Sequence, residues 1–391
     1  MPGPLEGIRV LDLSRLLPGP YCTMIMADLG AEVVKIEDPV QGDYIRWLPP
    51  YVDGLSAGFL ALNRNKKSAT LNLKADRGRE IFLELIKTYD VVVEGFRPGV
   101  MDKLGVGYKA ASAINPMIIY CSLTGYGQDG PYADRAGHDI NYIGYAGALS
   151  MTGQRNGKPV LPGIQIGDMC GALSAMIGIL AALHERDRSG CGQNVDVSLA
   201  DAAFAMTPLL LAEIEAGEKQ NRGETTLTGG NPCYDTYITS DGEYICIGAI
   251  EPKFFKKFCK IVGREDLEVY HHGTGKDRDY LESELSTMFK TRTRDEWLKL
   301  LEPADVCIGP VNTFEQSLND PQLTARRMFF EVPTGKGGTT RQTGLPFKLS
   351  GFQPSSPAAP PEYGEHTAMV FAEAGIDTKQ IEELRAAGVI K

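Results

Sequence analysis

The chain has 391 residues, 43% of them hydrophobic and 23% charged, and a net charge of −10. That length buries a core large enough for two domains, while the acidic balance speaks against a nucleic-acid protein, which needs a concentrated basic surface. Met1-Pro-Gly-Pro-Leu-Glu6 lacks the charged and apolar regions of a secretory signal, and no apolar run approaches the roughly 20 residues of a membrane span.

The first half alternates strand and helix. Ile8-Arg-Val-Leu-Asp-Leu13 is a predicted strand running into the turn Leu17-Pro-Gly-Pro20, followed by a helix through Met24 to Leu29 and the strand Glu32-Val-Val-Lys-Ile-Glu37. Ala69–Leu73, a helix from an Asp76 N-cap to about Lys87, Asp90–Glu94 and Met117–Cys121 repeat the pattern. β-Branched runs separated by amphipathic helices predict parallel strands with helical crossovers, an α/β layer of Rossmann-like type. No Gly-x-Gly-x-x-Gly follows the first strand, so a nicotinamide dinucleotide is disfavoured.

A helix from Asp168 to about Arg188 comes next, its richest apolar stretch (Ala175–Leu183) closing at His184-Glu-Arg-Asp-Arg188, as a buried helix does. A strand at Asn194–Val197 and a helix over Asp201–Glu215 follow. Residues 217–230 are polar and glycine-rich and read as a linker. Tyr234–Ile238 and Tyr244–Gly248 around Asp241-Gly242 predict a hairpin. With helices over 252–261, 277–290 and 293–301 it makes a smaller α+β domain at 231–319. Residues 320–391 return to the large domain begun at 1–216, with an extended strap over 351–365 and a closing helix from Asp377. The eight cysteines form no Cys-x-x-Cys pair, and none of the five histidines stands at metal-ligand spacing to a cysteine. Free thiols in a reducing cytoplasm and no metal site are therefore expected.

The chemistry-bearing text is Ala136-Gly-His-Asp-Ile-Asn-Tyr142, answered thirty positions later by Gly167-Asp168-Met169. A histidine and an aspartate set among glycines form an acid–base pair for one carbon centre, although bare His and Asp residues are more often structural. The surrounding blocks carry more. Leu5-Glu-Gly-Ile-Arg-Val-Leu-Asp-Leu13, Ala27-Asp-Leu-Gly-Ala-Glu-Val-Val-Lys-Ile-Glu37, Glu94-Gly-Phe-Arg-Pro-Gly99, Cys121-Ser-Leu-Thr-Gly-Tyr-Gly127 and Gly364-Glu-His-Thr367 together resemble the class III CoA-transferase (CaiB/BaiF) family, which also contains α-methylacyl-CoA racemases.

The resemblance implies an acyl-CoA substrate, no cofactor beyond its CoA moiety, and a homodimer whose chains interlock. The polar stretches 217–230 and 318–326 are expected as its extended linkers. Arg46, Arg64, Lys67 and Arg97 lie after early strands, where α/β sheets bind ligands, and are the expected CoA contacts; a solvated face is the other account of them. Asp168 matches the family's aspartate, a nucleophile in the transferases and a proton carrier in the racemases. An N-cap is its structural alternative. His138 matches the racemase branch, as do Gly230-Asn-Pro-Cys-Tyr-Asp-Thr-Tyr237 and Gly248-Ala-Ile-Glu-Pro252, in which Glu251 is implied to hydrogen-bond the histidine. Asp139 reads as a structural neighbour. Ala172 stands where the family has the second of two glycines, and this added methyl is expected to alter substrate range. The expected reaction is epimerisation of a 2-methyl-branched acyl-CoA through an enolate held by backbone N–H groups near Asp168. CoA transfer through an aspartyl-CoA thioester at Asp168 is the alternative.

Overall fold

A computed structural model describes residues 3–391. The chain forms two compact units: residues up to Ala146, Ile164–Met206 and Ala325–Lys391 make the first, Gly147–Gly163 and Thr207–Thr324 the second. The smaller unit therefore starts before the hairpin, takes in residues 217–230, and recruits a segment at 147–163 from what reads in sequence as the large domain.

In the first unit, β1 (Arg9–Asp12), β2 (Glu32–Glu37), β3 (Lys67–Thr70), β4 (Val91–Glu94), β5 (Ile119–Thr124) and β6 (Asn194–Ser198) form one parallel sheet, ordered β3-β2-β1-β4-β5-β6. This is the doubly wound order. The winding reverses between β1 and β4, leaving a crevice outside the carboxyl ends of those strands. The connecting helices are α1 (Pro18–Asp28), α2 (Asp76–Ile86), α3 (Asp139–Tyr145), α4 (Ile166–Ser189) and α5 (Leu199–Phe204).

Strand side chains alternate between faces. Val10, Val33, Val91, Val93, Ile119 and Cys121 pack with residues of α1 and α4. Leu11, Val34, Ile36, Val92 and Tyr120 pack with α2 and with two C-terminal helices, Thr367–Glu373 and Thr378–Ala386. Both faces are covered, which is why these strands read as unbroken apolar runs. Each such side chain taken from water contributes about 1.5–3 kcal/mol.

α4 is the longest helix among the described residues. Its 24 residues and mean hydropathy of 1.8 make it long and apolar enough to cross a membrane. Its inner face, including Ala172, Ala175, Met176 and Ile179, is buried in the core, while Leu173, Ile177 and Leu180 stand exposed on the other.

Several expectations differ from the fold for local reasons. The helix expected over 201–215 is broken into α5 and α6 (Pro208–Glu215), because Pro208 has no N–H to continue the ladder and starts a new helix instead. Residues 318–326 are not an extended linker: Pro321–Ala325 is helical, with the Asp320 carboxylate accepting the N–H groups of Gln322 and Leu323 at 2.9 Å each. Residues 335–338, glycine-rich, form the turn between two paired strands that were not expected from the sequence, Phe329–Pro333 and Thr339–Thr343. The strap over 351–365 contains no helix or strand.

The second unit carries a three-stranded antiparallel sheet in which β8 (Tyr244–Gly248) is central, flanked by β7 (Tyr234–Ile238) and Ile308–Pro310. The Asp-Gly turn forms where expected, with Gly242 at φ 81°. Helices α7 (Pro252–Val262), α8 (Lys276–Phe289) and α9 (Arg294–Leu301) contribute Phe255, Phe258, Phe289 and Trp297 to its core.

Candidate active site

A cavity of about 430 Å³ opens at the β1/β4 crevice of the first unit. Leu13–Leu16 after β1, Gly95–Pro98 after β4, Leu123–Gly125 at the end of β5, Arg135–His138 and Asp168 line it. The fold thus brings His138, Asp168 and Arg97 to one wall system, although they are distant in sequence.

His138 is set by the helix it precedes. It is the N-cap of α3, and its N–H donates to Asn141 Oδ1 at 3.0 Å while its C=O accepts the Asn141 N–H at 2.8 Å. That exchange is the local meaning of His-Asp-Ile-Asn. Tyr142 braces the loop from behind, donating its hydroxyl to the Gly137 C=O at 2.6 Å. Its ring lies so close that a Cβ on Gly137 would come within 2.7 Å of it, and one on Gly125 within 2.5 Å, so both positions require glycine.

Asp168 is the third residue of α4, not its N-cap. The acceptor at that helix start is Asp139, whose Oδ1 takes the Asp168 N–H at 3.0 Å. Asp139 is therefore the structural neighbour expected, bound to backbone. Burial raises the Asp168 pKa to about 6, the Asp139 charge adds to the rise, and His138 opposes it. A carboxyl in this state exchanges its proton close to neutral pH.

Two of the backbone donors expected to hold an enolate oxygen are already engaged. The Asp168 N–H goes to Asp139, and the Met169 N–H to the Gln165 C=O at 3.0 Å. Thr124 also lines the cavity, and its buried Oγ1 has no hydrogen-bond partner. Such an orphaned hydroxyl is costly unless a ligand satisfies it. Ala172 is fully buried in the core, so its methyl does not reach the cavity, contrary to the expectation of an altered substrate range.

Three of the four expected CoA cations are paired with carboxylates of the fold, Arg46 and Arg64 in buried pairs and Lys67 in a partly exposed one. Arg46 grips Glu37 with two hydrogen bonds (2.7 and 2.8 Å), donates to the Pro361 C=O and stacks on Phe59. Arg64, 1% exposed, is saturated by Asp28, Gln342 and the Thr343 C=O. Lys67 pairs with Glu32 at 3.0 Å. None of them lines this cavity or the second one described below. Arg97 does, and so does Arg15, a residue the sequence reading missed; among the described residues neither has a carboxylate partner within salt-bridge distance. Arg15 and Phe96, stacked at 5.1 Å, also border a second cavity of about 430 Å³ that runs over Ile36–Asp38 and Leu71–Lys74. Glu251 is the N-cap of α7 in the second unit.

Comparison with known proteins follows the same lines. A family model described as CoA-transferase family III matches residues 5–367. Succinyl-CoA:glutarate CoA-transferase of Homo sapiens is 36% identical over 99% of this chain and 90% of its own. Alpha-methylacyl-CoA racemase of Mus musculus is 34% identical over 99% of this chain and 97% of its own. A CaiB/BaiF family protein from Brucella suis superposes with a TM-score of 0.83 at 33% identity, covering 96% of this chain and 100% of that one. The chain belongs to CoA-transferase family III, a family of enzymes that includes both CoA-transferases and racemases.

Proposed function

We propose that this protein epimerises 2-methyl-branched acyl-CoA thioesters by removing and returning the α-proton. The observation that carries the reading is the presence of His138 and Asp168 on one cavity, with Asp168 tuned to about 6. One residue takes the α-proton, and the C–H electron pair moves into the thioester carbonyl to give a planar enolate. The other residue gives a proton to the opposite face. Charge sits on the substrate's own oxygen, and the unpaired Thr124 hydroxyl is its proposed donor. Arg15 and Arg97 are the proposed phosphate contacts of CoA, replacing Arg46, Arg64 and Lys67.

CoA transfer through Asp168 is the second reading, supported by the slightly higher identity to the human transferase than to the mouse racemase. There the carboxylate attacks the thioester and expels the CoA thiolate, leaving a mixed anhydride; the thiolate then attacks the aspartyl carbonyl, releasing the first carboxylic acid and giving an aspartyl-CoA thioester. Replacing His138 by Ala separates the two. Epimerisation should collapse, whereas transfer to an acceptor acid should largely persist; undiminished epimerisation would sink the first reading.

A second copy of the chain is the proposed partner. The stripe Leu173, Ile177 and Leu180 on α4 is the apolar surface it would cover.

A further inference from the structure

Of the arginines that line the cavity at His138, Arg135 is the one that the reading above leaves without a task. It stands three residues before His138 and lines the same cavity. Its guanidinium stacks on the Tyr132 ring at 4.0 Å and donates from Nη1 to Tyr145 Oη at 2.7 Å. Tyr132 and Tyr145 pack on each other and on Tyr126, so the planar fork is held by an aromatic cluster. No carboxylate among the described residues lies within salt-bridge distance of it, and the neighbouring Asp139 is turned to the Asp168 amide.

A guanidinium stacked on the Tyr132 ring and anchored on the Tyr145 hydroxyl, with donors to spare and no acid beside it, suits a planar anion. Three residues span at most about 11 Å, so an anion on Arg135 belongs to the same end of the ligand as the carbon facing His138. That end is the acyl group. We propose that Arg135 binds a carboxylate carried on the acyl chain, so that the substrate is the mono-CoA thioester of a short, 2-methyl-branched dicarboxylic acid. The α-carbon chemistry of this statement rests on the epimerase reading; the carboxylate site does not.

Two measurements keep them apart. Calorimetry with the stable thioethers carboxypropyl-CoA and butyl-CoA reads the site without turnover. The carboxylate should tighten binding roughly 10- to 100-fold, as for hydrogen bonds to a charged group, and Arg135→Gln should erase that ratio. Tyr145→Phe, which frees the fork from its hydroxyl anchor, should reduce the ratio by a smaller factor. Equal wild-type affinities would overturn the proposal. So would an Arg135→Gln loss as large for free CoA as for carboxypropyl-CoA, since the guanidinium would then serve a phosphate. The second measurement compares α-proton exchange in 2-methylsuccinyl-CoA and 2-methylbutanoyl-CoA, and kcat/KM should favour the former by a similar factor. Exchange in neither, with the affinity ratio intact, would leave the carboxylate site standing and remove the epimerase.

Discussion

Asp168 and Asp139 show how two carboxylates divide labour by placement. Asp139 takes the N–H that begins α4 and, as a like charge, helps hold the Asp168 proton to about pH 6. Asp139→Asn should lower that pKa and move the acid limb of the kcat/KM profile below pH 6; an unmoved limb would contradict this coupling. The same shift has a cost in stability. Between about pH 4 and 6 the folded state keeps a proton that the unfolded chain has released, so this group's contribution to stability falls as pH rises through that window. Asp168→Asn should therefore raise stability at pH 7, by about 1 kcal/mol once the shift is discounted for partial exposure, and leave it unchanged below about pH 4. Thermal melts at both pH values check the sign. Thr124→Val, which removes the orphan hydroxyl, should lower kcat roughly 100-fold with little change in KM.

At the scale of elements, what was legible in the sequence was what local pattern encodes. The Val/Ile runs of β1, β2 and β4 mark a doubly covered parallel sheet without any contact being known. The hairpin at 329–343 was not legible, because Thr339–Thr343 carries no apolar residue to show a period of two. The fate of the arginines was hidden for another reason: Arg64 meets Asp28 across 36 residues and Gln342 across 278. No window of sequence distinguishes a cation awaiting phosphate from one awaiting a distant carboxylate. Thr124 was quoted within a family block, yet its lack of a partner is a property of the folded cavity alone. The reassignment of Arg64 is testable. Arg64→Ala strands a buried Asp28 and should destabilise the protein by about 3–5 kcal/mol. Arg97→Ala should weaken CoA binding with little change in the melting temperature. The reverse pattern would restore Arg64 as a ligand contact.

For the whole molecule, the doubly wound order places the cavity before any residue is considered, since the crevice lies where the winding reverses between β1 and β4. The family's aspartate and histidine arrive there from α4 and from the cap of α3. The exposed stripe of α4 belongs to this scale too, with Ile177 68% exposed at its centre. If a second copy covers it, Ile177→Lys should shift the mass seen by light scattering from dimer to monomer, whereas a wild-type monomer at assay concentration would refute that cover.

The central claim is proton exchange at the α-carbon. A single epimer of a 2-methylacyl-CoA, incubated with the protein in deuterated water without an acceptor acid, should lose its α-proton signal by NMR while the opposite epimer appears. Retention of that signal, with hydroxylamine trapping an adduct at Asp168 once a second carboxylic acid is added, would contradict the account and establish CoA transfer instead.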